Sequence, residues 1–221
     1  MSKKSLNIPL NSIDWGDLRG QEPISRWWGL GRGQPIDRFY IENFLRQNTA
    51  DIKGHCLEVF NDNYIQDFGN DMVKSIDILD IDKENRRATI FGDLTNPNTL
   101  PKNTFDCFIL TQTLSHIYDA RAALKNSYAS IKHGGVMLIS VPALCRYSPQ
   151  PEDYWRFTGD SLSKMILNET DSRDYQVTLH GNLVASIGFL IGLCSQELTT
   201  KELEHYDEHY PITVTARLVK T

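Results

Sequence analysis

The 221-residue sequence predicts an α/β fold, an open and mostly parallel sheet with helices on both faces. Three observations predict it. Short apolar runs bounded by turn residues alternate with segments of helical spacing, and the loops between them are short. The runs at 56–60 and 105–110 are almost wholly apolar, as strands buried on both faces should be. The length suits one domain with an extension, and 40% apolar with 10% aromatic residues is enough to bury a core.

Residues 1–35 carry Trp15, Trp27 and Trp28 among Gly16, Gly20, Gly29, Gly31 and Gly33. This composition reads as a turn-rich aromatic arm, a lid or a dimer contact, ahead of a domain spanning 36–221. From Pro35, the positions Ile36, Phe39, Tyr40, Phe44 and Leu45 follow helical spacing, with Asp37 near the positive end. A first strand at 56–60 is followed by the turn Asn61-Asp62-Asn63 and a short helix at 64–68 closed by Gly69. A second strand at 75–81 closes at Asp82, and a third at 88–91 closes at Gly92-Asp93. The fourth, 105–110, runs into Thr111 and Gln112; a helix at 120–131 is expected to end on the Gly134-Gly135 cap. Residues 136–141 form a fifth strand stopped by Pro142. Further on, 175–179 alternates like a strand, 183–194 reads as a buried helix, and 212–219 alternates cleanly enough to insert antiparallel as the last of seven strands.

Charge and composition remove several classes of function. With 23 Lys and Arg against 28 Asp and Glu, the net charge of -5 lacks the basic surplus that drives nucleic-acid binding. The start, Met1 to Asn7, has two lysines but no apolar run, so no secretory signal is expected. The run 183–194, interrupted by Ser186, Gly188 and Gly192, is too short for a hydrocarbon core of about 30 Å. A cytoplasmic chain without membrane insertion follows. Cys56, Cys107, Cys145 and Cys194 are widely spaced, so neither a metal site nor a disulfide is expected.

In an open α/β sheet, ligands bind beyond the carboxyl ends of the strands. Here the first strand holds Glu58, the second ends at Asp82, the third at Asp93, and the fourth at Thr111 and Gln112. One such acid is more often a solvated turn residue, but the series suits a nucleoside, with one carboxylate for ribose hydroxyls and another for an adenine amino group. The first loop has no glycine before Gly69. A dinucleotide needs glycines there so that backbone N–H groups can approach its pyrophosphate, which disfavours NAD. A nucleoside joined to an amino acid has no phosphate and fits a loop with Asn side chains.

These residues resemble the class I S-adenosylmethionine-dependent methyltransferases, over roughly residues 36–220. Gly54-His55-Cys56-Leu57-Glu58-Val59 is similar to the first-strand motif, Ile78-Leu79-Asp80-Ile81-Asp82 to the ribose-binding one, and Gly92-Asp93-Leu94 to the adenine-side one. Phe105 to Asp119 resembles the fourth-strand motif, and His133 to Leu138 the turn into strand five. A closer likeness, carried by Arg32 to Tyr40 and by Asp153-Tyr154-Trp155-Arg156-Phe157-Thr158, is to small methyltransferases found beside glycosyltransferases in bacterial glycan and natural-product pathways. The departure from the wider family is the glycine-free first loop.

The resemblance implies a Rossmann-like sheet, S-adenosylmethionine as cofactor, and O-methylation of a small-molecule, sugar or natural-product acceptor, with a homodimer as one possible assembly. A catalytically inactive binding or scaffold protein is the alternative that the first loop raises. By resemblance, Glu58 orders the first loop, Asp82 takes the ribose with Asp80 as its competitor, Asp93 and Leu94 hold adenine, and Thr111 and Gln112 line the methionine end. Tyr40 either closes over the sulfonium or packs in the core. His116 is the candidate general base, or else caps the next helix; His180 ranks below it. Tyr154, Trp155 and Arg156 overhang the expected acceptor site, where Trp155 either stacks on a ring or anchors its loop, and Arg156 either meets an anion or pairs with Asp153.

Overall fold

The computed structural model describes Asp14 and residues 16–221, so Trp15 and the earlier part of the expected arm lie outside the described residues. The seven strands are β1 (Gly54–Val59), β2 (Val73–Asp80), β3 (Ile90–Phe91), β4 (Phe105–Thr111), β5 (Ile131–Pro142), β6 (Asp174–His180) and β7 (Thr213–Val219). They form one sheet in the order β3-β2-β1-β4-β5-β7-β6. From β1 to β5 the pairs are parallel; β7 lies between β5 and β6 and is antiparallel to both. The sheet is therefore Rossmann-like, with the last strand inserted antiparallel as its alternation predicts. Successive strands step outward from β1 in one direction and from β4 in the other, so the crossover reverses between these two neighbours. That reversal opens a crevice at their carboxyl ends.

Among the described residues, six α-helices flank the sheet: α1 (Ile36–Gln47), α2 (Asn63–Phe68), α3 (Ala120–Ser130), α4 (Gly159–Glu169), α5 (Leu183–Ile191) and α6 (Thr200–Glu204). One core joins the sheet to α3 and α4 through Leu57, Phe108, Leu124, Ile139 and Ile166. A second packs Ile41, Phe44 and Leu45 of α1 and Ile65 of α2 against Cys56, Cys107 and Leu138. A third joins Ile36 and Tyr40 to Phe189 of α5 and Leu203 of α6. Helices thus cover both faces, which is why the central strands have no polar side.

Three elements differ from expectation. Helix α3 stops at Ser130, and Ile131 already has extended backbone and begins β5. Gly134 caps no helix; at φ +77° it turns the chain within the strand and donates its N–H to Lys220 O at 2.7 Å. Helix α5 is shorter than 183–194 and is not buried all round. Ala185 and Phe189 face inward, while Leu183, Val184, Ile187 and Leu190 are exposed, because α5 packs through one stripe only, onto α1 and α6. Helix α4 was not read from the sequence. Its signal is a capping box, Thr158 with Ser161, ahead of Leu162 and Ile166, which are both buried. No helix among the described residues is long and apolar enough to cross a membrane.

Residues 24–35 meet the end of α5 and the turn after it. Ile24 donates its N–H to Ile191 O at 2.7 Å, and Pro35 bridges to Cys194. The approach depends on glycine: Gly192 has φ +84°, and a Cβ on it would collide with the backbone of Ser25.

Candidate active site

A cleft of about 800 Å³ opens at the carboxyl ends of β1, β2 and β4. Its floor is set by Glu58 in β1, whose side chain is buried and accepts the backbone N–H groups of Tyr64 (3.2 Å) and Ile65 (2.9 Å). The carboxylate therefore sits at the start of α2, where a pyrophosphate would have to bind, and the glycine-free loop folds around it. Burial pushes the Glu58 carboxyl up to about 7.

The turn that glycine ordinarily makes is made by Phe60, which adopts φ +73°. Its N–H donates to Leu79 O at 2.8 Å, and its carbonyl accepts Asn85 Nδ2 at 2.8 Å, so two neighbouring segments hold it there. The ring is left 66% exposed against the cleft, and Ile81 beside it is 71% exposed. These are two apolar side chains left largely uncovered. Between them Asp80, the last residue of β2, is buried and turned to the cleft; it accepts Asn85 Nδ2 at 2.6 Å and the N–H of Asp82 at 2.9 Å.

At the end of β4, Gln112 adopts φ +49°, a region that non-glycine residues occupy mainly where function or packing demands it. Its Oε1 is buried without a hydrogen-bond partner. Four residues on, His116 places Nδ1 at 2.8 Å from Glu152 O. A carbonyl only accepts, so Nδ1 carries the proton and the neutral ring keeps its lone pair on Nε2.

A second pocket of about 350 Å³ adjoins the cleft, and Arg38, Gln112, His116 and Pro151 line both. Its other walls include Trp28 from the segment before α1, Asp37 from α1, and Cys145 and Arg156 from the loop between β5 and α4. Asp37 is deeply enclosed, which pushes its carboxyl up, yet keeps some surface along the pocket. Arg38 donates Nη1 to Tyr64 Oη at 2.8 Å, linking α1 to α2 across the cleft.

Residues 53–139 match the family model for a methyltransferase domain. The matched segment runs from β1 into β5 and contains Glu58, Asp80, Gln112 and His116. No curated protein matches the sequence. Among solved structures, the chain is similar to a SAM-dependent methyltransferase from Archaeoglobus fulgidus, at 14% identity and TM-score 0.56 over 83% of this chain and 94% of that one. An S-adenosylmethionine-dependent methyltransferase from Mesorhizobium loti is similar at 11% identity and TM-score 0.57, over 84% and 100%. The [4+2]-cyclase SpnF is similar at 11% identity and TM-score 0.55, over 91% and 88%. At these identities the structures show the fold.

S-adenosylmethionine is the cofactor that a methyltransferase domain implies, and the cleft has the donor set for it. Asp80 offers a buried carboxylate, Phe60 and Ile81 offer flat apolar surface, and Gln112 Oε1 is an acceptor awaiting a partner.

Of the residues singled out in the sequence, Glu58, Asp93, Leu94, Thr111, Gln112 and His116 line this cleft together. Asp82 does not. The strand ends at Asp80, and Asp82 lies in the turn beyond it, where its carboxylate accepts the N–H of Glu84 at 2.9 Å. Tyr40 is also outside the cleft. It is a core residue whose hydroxyl donates to Leu203 O at 2.8 Å, and burial pushes that hydroxyl up to about 12. His180 lies against Tyr40 with Nε2 at 2.8 Å from Thr215 Oγ1, and burial lowers it to about 4.

The loop after β5 is placed differently again. Tyr154 and Trp155 are exposed and line neither cavity; Trp155 Nε1 donates to Ile117 O and Tyr118 O, both at 3.1 Å, which anchors the loop. Arg156 does line the second pocket, but it is clasped to Asp153 at 2.5 Å and 2.7 Å. Sequence reasoning assigned no role to Asp37 or Arg38. Their signal is an adjacent pair of opposite charges in the first turn of the helix, two residues after Pro35.

Proposed function

We propose that the chain is a cytoplasmic S-adenosylmethionine-dependent methyltransferase that methylates a hydroxyl on a small-molecule, sugar or natural-product acceptor. The observation that carries this reading is the shared wall, in which Gln112 and His116 belong at once to the cofactor cleft and to the second pocket. An acceptor in the smaller pocket would meet the cofactor at that wall.

In this reading Asp80 takes the ribose hydroxyls, with Asp82 stabilising the turn behind it. Phe60 and Ile81 cover the adenine, near Asp93 and Leu94. Glu58 holds the first loop, and Thr111 and Gln112 line the methionine end. When bound, S-adenosylmethionine supplies an electrophilic methyl group on a sulfonium. His116 Nε2 receives the proton of the acceptor hydroxyl, its tautomer fixed by the bond from Nδ1 to Glu152 O. The Trp28 segment and the Asp153 loop close the pocket, which excludes water and holds the acceptor in line; such positioning is worth roughly 7–11 kcal/mol in favourable cases.

One observation favours the inactive alternative, namely the replacement of a flexible glycine turn by Phe60. A methyl-donor assay decides between the two. The protein is incubated with labelled S-adenosylmethionine and an extract of the source cell, and products are read by mass. A product heavier by one labelled methyl, with release of S-adenosylhomocysteine, is expected; cofactor binding without any product would favour the binding protein.

A further inference from the structure

The polar groups around the second pocket are unequally satisfied, and the imbalance describes what belongs there. Several of its donors are already engaged. Arg156 gives its Nη atoms to Asp153 and to the carbonyls of Cys145 (3.4 Å), Arg146 (3.0 Å) and Trp155 (2.9 Å). The hydroxyls of Ser115 and Ser148 donate to Gln112 O (3.3 Å) and Gln150 O (3.1 Å). Arg146 lies flat on the Trp28 ring, 3.8 Å from its centroid, and its Nε is a buried donor without a partner.

The acceptors are open. Asp37 accepts hydrogen bonds only from backbone N–H groups of its own turn, including Arg38 N at 2.9 Å, and among the described residues no basic side chain forms an ion pair with it. Gln112 Oε1 has no partner, and His116 Nε2 keeps its lone pair. An unfilled buried acceptor carries a desolvation penalty of about 1–3 kcal/mol, so a ligand that supplies donors at these points is selected over one that does not.

Resting on the methyl-transfer reading, we infer that Asp37 recognises the acceptor, and that its carboxylate, Gln112 Oε1 and His116 Nε2 together select a neutral polyhydroxyl molecule. The hydroxyl to be methylated faces His116, and a neighbouring hydroxyl donates to Asp37. An acceptor carboxylate or phosphate beside Asp37 would meet like charge. A cationic amine would face Arg38, Arg146 and Arg156 on the surrounding walls. Trp28 adds aromatic surface to the wall.

The test is ligand binding by saturation-transfer NMR on the full chain, with and without S-adenosylhomocysteine. The probes are methyl α-D-glucopyranoside, D-glucuronate, D-glucose 6-phosphate and D-glucosamine. The neutral glycoside is expected to bind most tightly, and Asp37→Asn to weaken it at least tenfold while S-adenosylhomocysteine affinity stays within threefold. Tighter binding of either anion or of the amine would overturn the inference. So would absence of binding by the glycoside, an unchanged Asp37→Asn variant, or loss of S-adenosylhomocysteine affinity in that variant. If the wild-type chain binds no S-adenosylhomocysteine yet still prefers the neutral glycoside through Asp37, the methyl-transfer reading fails and the pocket chemistry stands.

Discussion

The strand-end cleft and the smaller pocket beside it share a wall but are assembled in different ways. Most of the cleft comes from one stretch of chain, Glu58 to Ile117, in which each strand delivers its last residues to the same edge of the sheet. The pocket is drawn from Trp28, Asp37, His116, Cys145 and Phe189, which only the tertiary fold brings together. The first depends on local geometry at strand ends, and the second on long-range packing of loops. Changes in the cleft should therefore act on cofactor affinity, whereas changes at the shared wall should act on turnover.

The largest effect expected is at that wall. His116→Ala should lower the methyl-transfer rate by about 10²–10⁴, the usual contribution of a positioned base, while S-adenosylhomocysteine affinity changes by less than about threefold. A parallel loss of both would mean that His116 belongs to the cleft alone and would erase the distinction between the two regions.

Glu58 gives the next effect, on stability. Its folded-state value near 7 stands above its ordinary 4.5, so the native state holds this proton over a range where the unfolded chain has lost it. Its contribution to stability is thus full below about 4.5 and falls as pH rises toward 7, by about 3 kcal/mol in all. Glu58→Gln keeps an acceptor for the α2 N–H groups and should flatten that slope in denaturant titrations at pH 5 and pH 8. An equal slope in both proteins would show that Glu58 is ionised throughout.

Smaller effects mark the boundary of the site. Tyr40→Phe removes one buried hydrogen bond and should reduce stability by about 1 kcal/mol, with cofactor affinity unchanged. Phe60→Gly should relieve backbone strain of about 1 kcal/mol and weaken cofactor binding several-fold, since the aromatic face is lost. Thermal melts with and without S-adenosylhomocysteine read both variants.

Much of the cleft was legible in the sequence because strand ends announce themselves through turn residues, and Glu58, Asp93, Thr111 and Gln112 follow that rule. Asp80 and Asp82 show its limit. They are separated by one strand repeat, so alternation treats them alike; the distinction is where pairing stops, and β3 pairs with β2 only at Leu79 and Asp80. Tyr40 shows another. An aromatic helix face looks the same whether it meets a ligand or α6. The pocket was largely illegible, since no local pattern says that Asp37 will meet Cys145 and His116. Trp155 and Arg156 stand in the loop after β5, where their hydrogen bonds tie the loop to itself and to Ile117 and Tyr118.

We propose that the strand-end cleft binds S-adenosylmethionine, with Asp80 as its ribose anchor. Calorimetric titration of S-adenosylhomocysteine into the wild-type chain, Asp80→Ala and Asp82→Ala tests it most directly. One site per wild-type chain is expected, with affinity about a hundredfold weaker in Asp80→Ala, the scale of two charge-assisted hydrogen bonds, and little changed in Asp82→Ala. No heat of binding in the wild type, or a loss in Asp82→Ala that Asp80→Ala does not share, would contradict it.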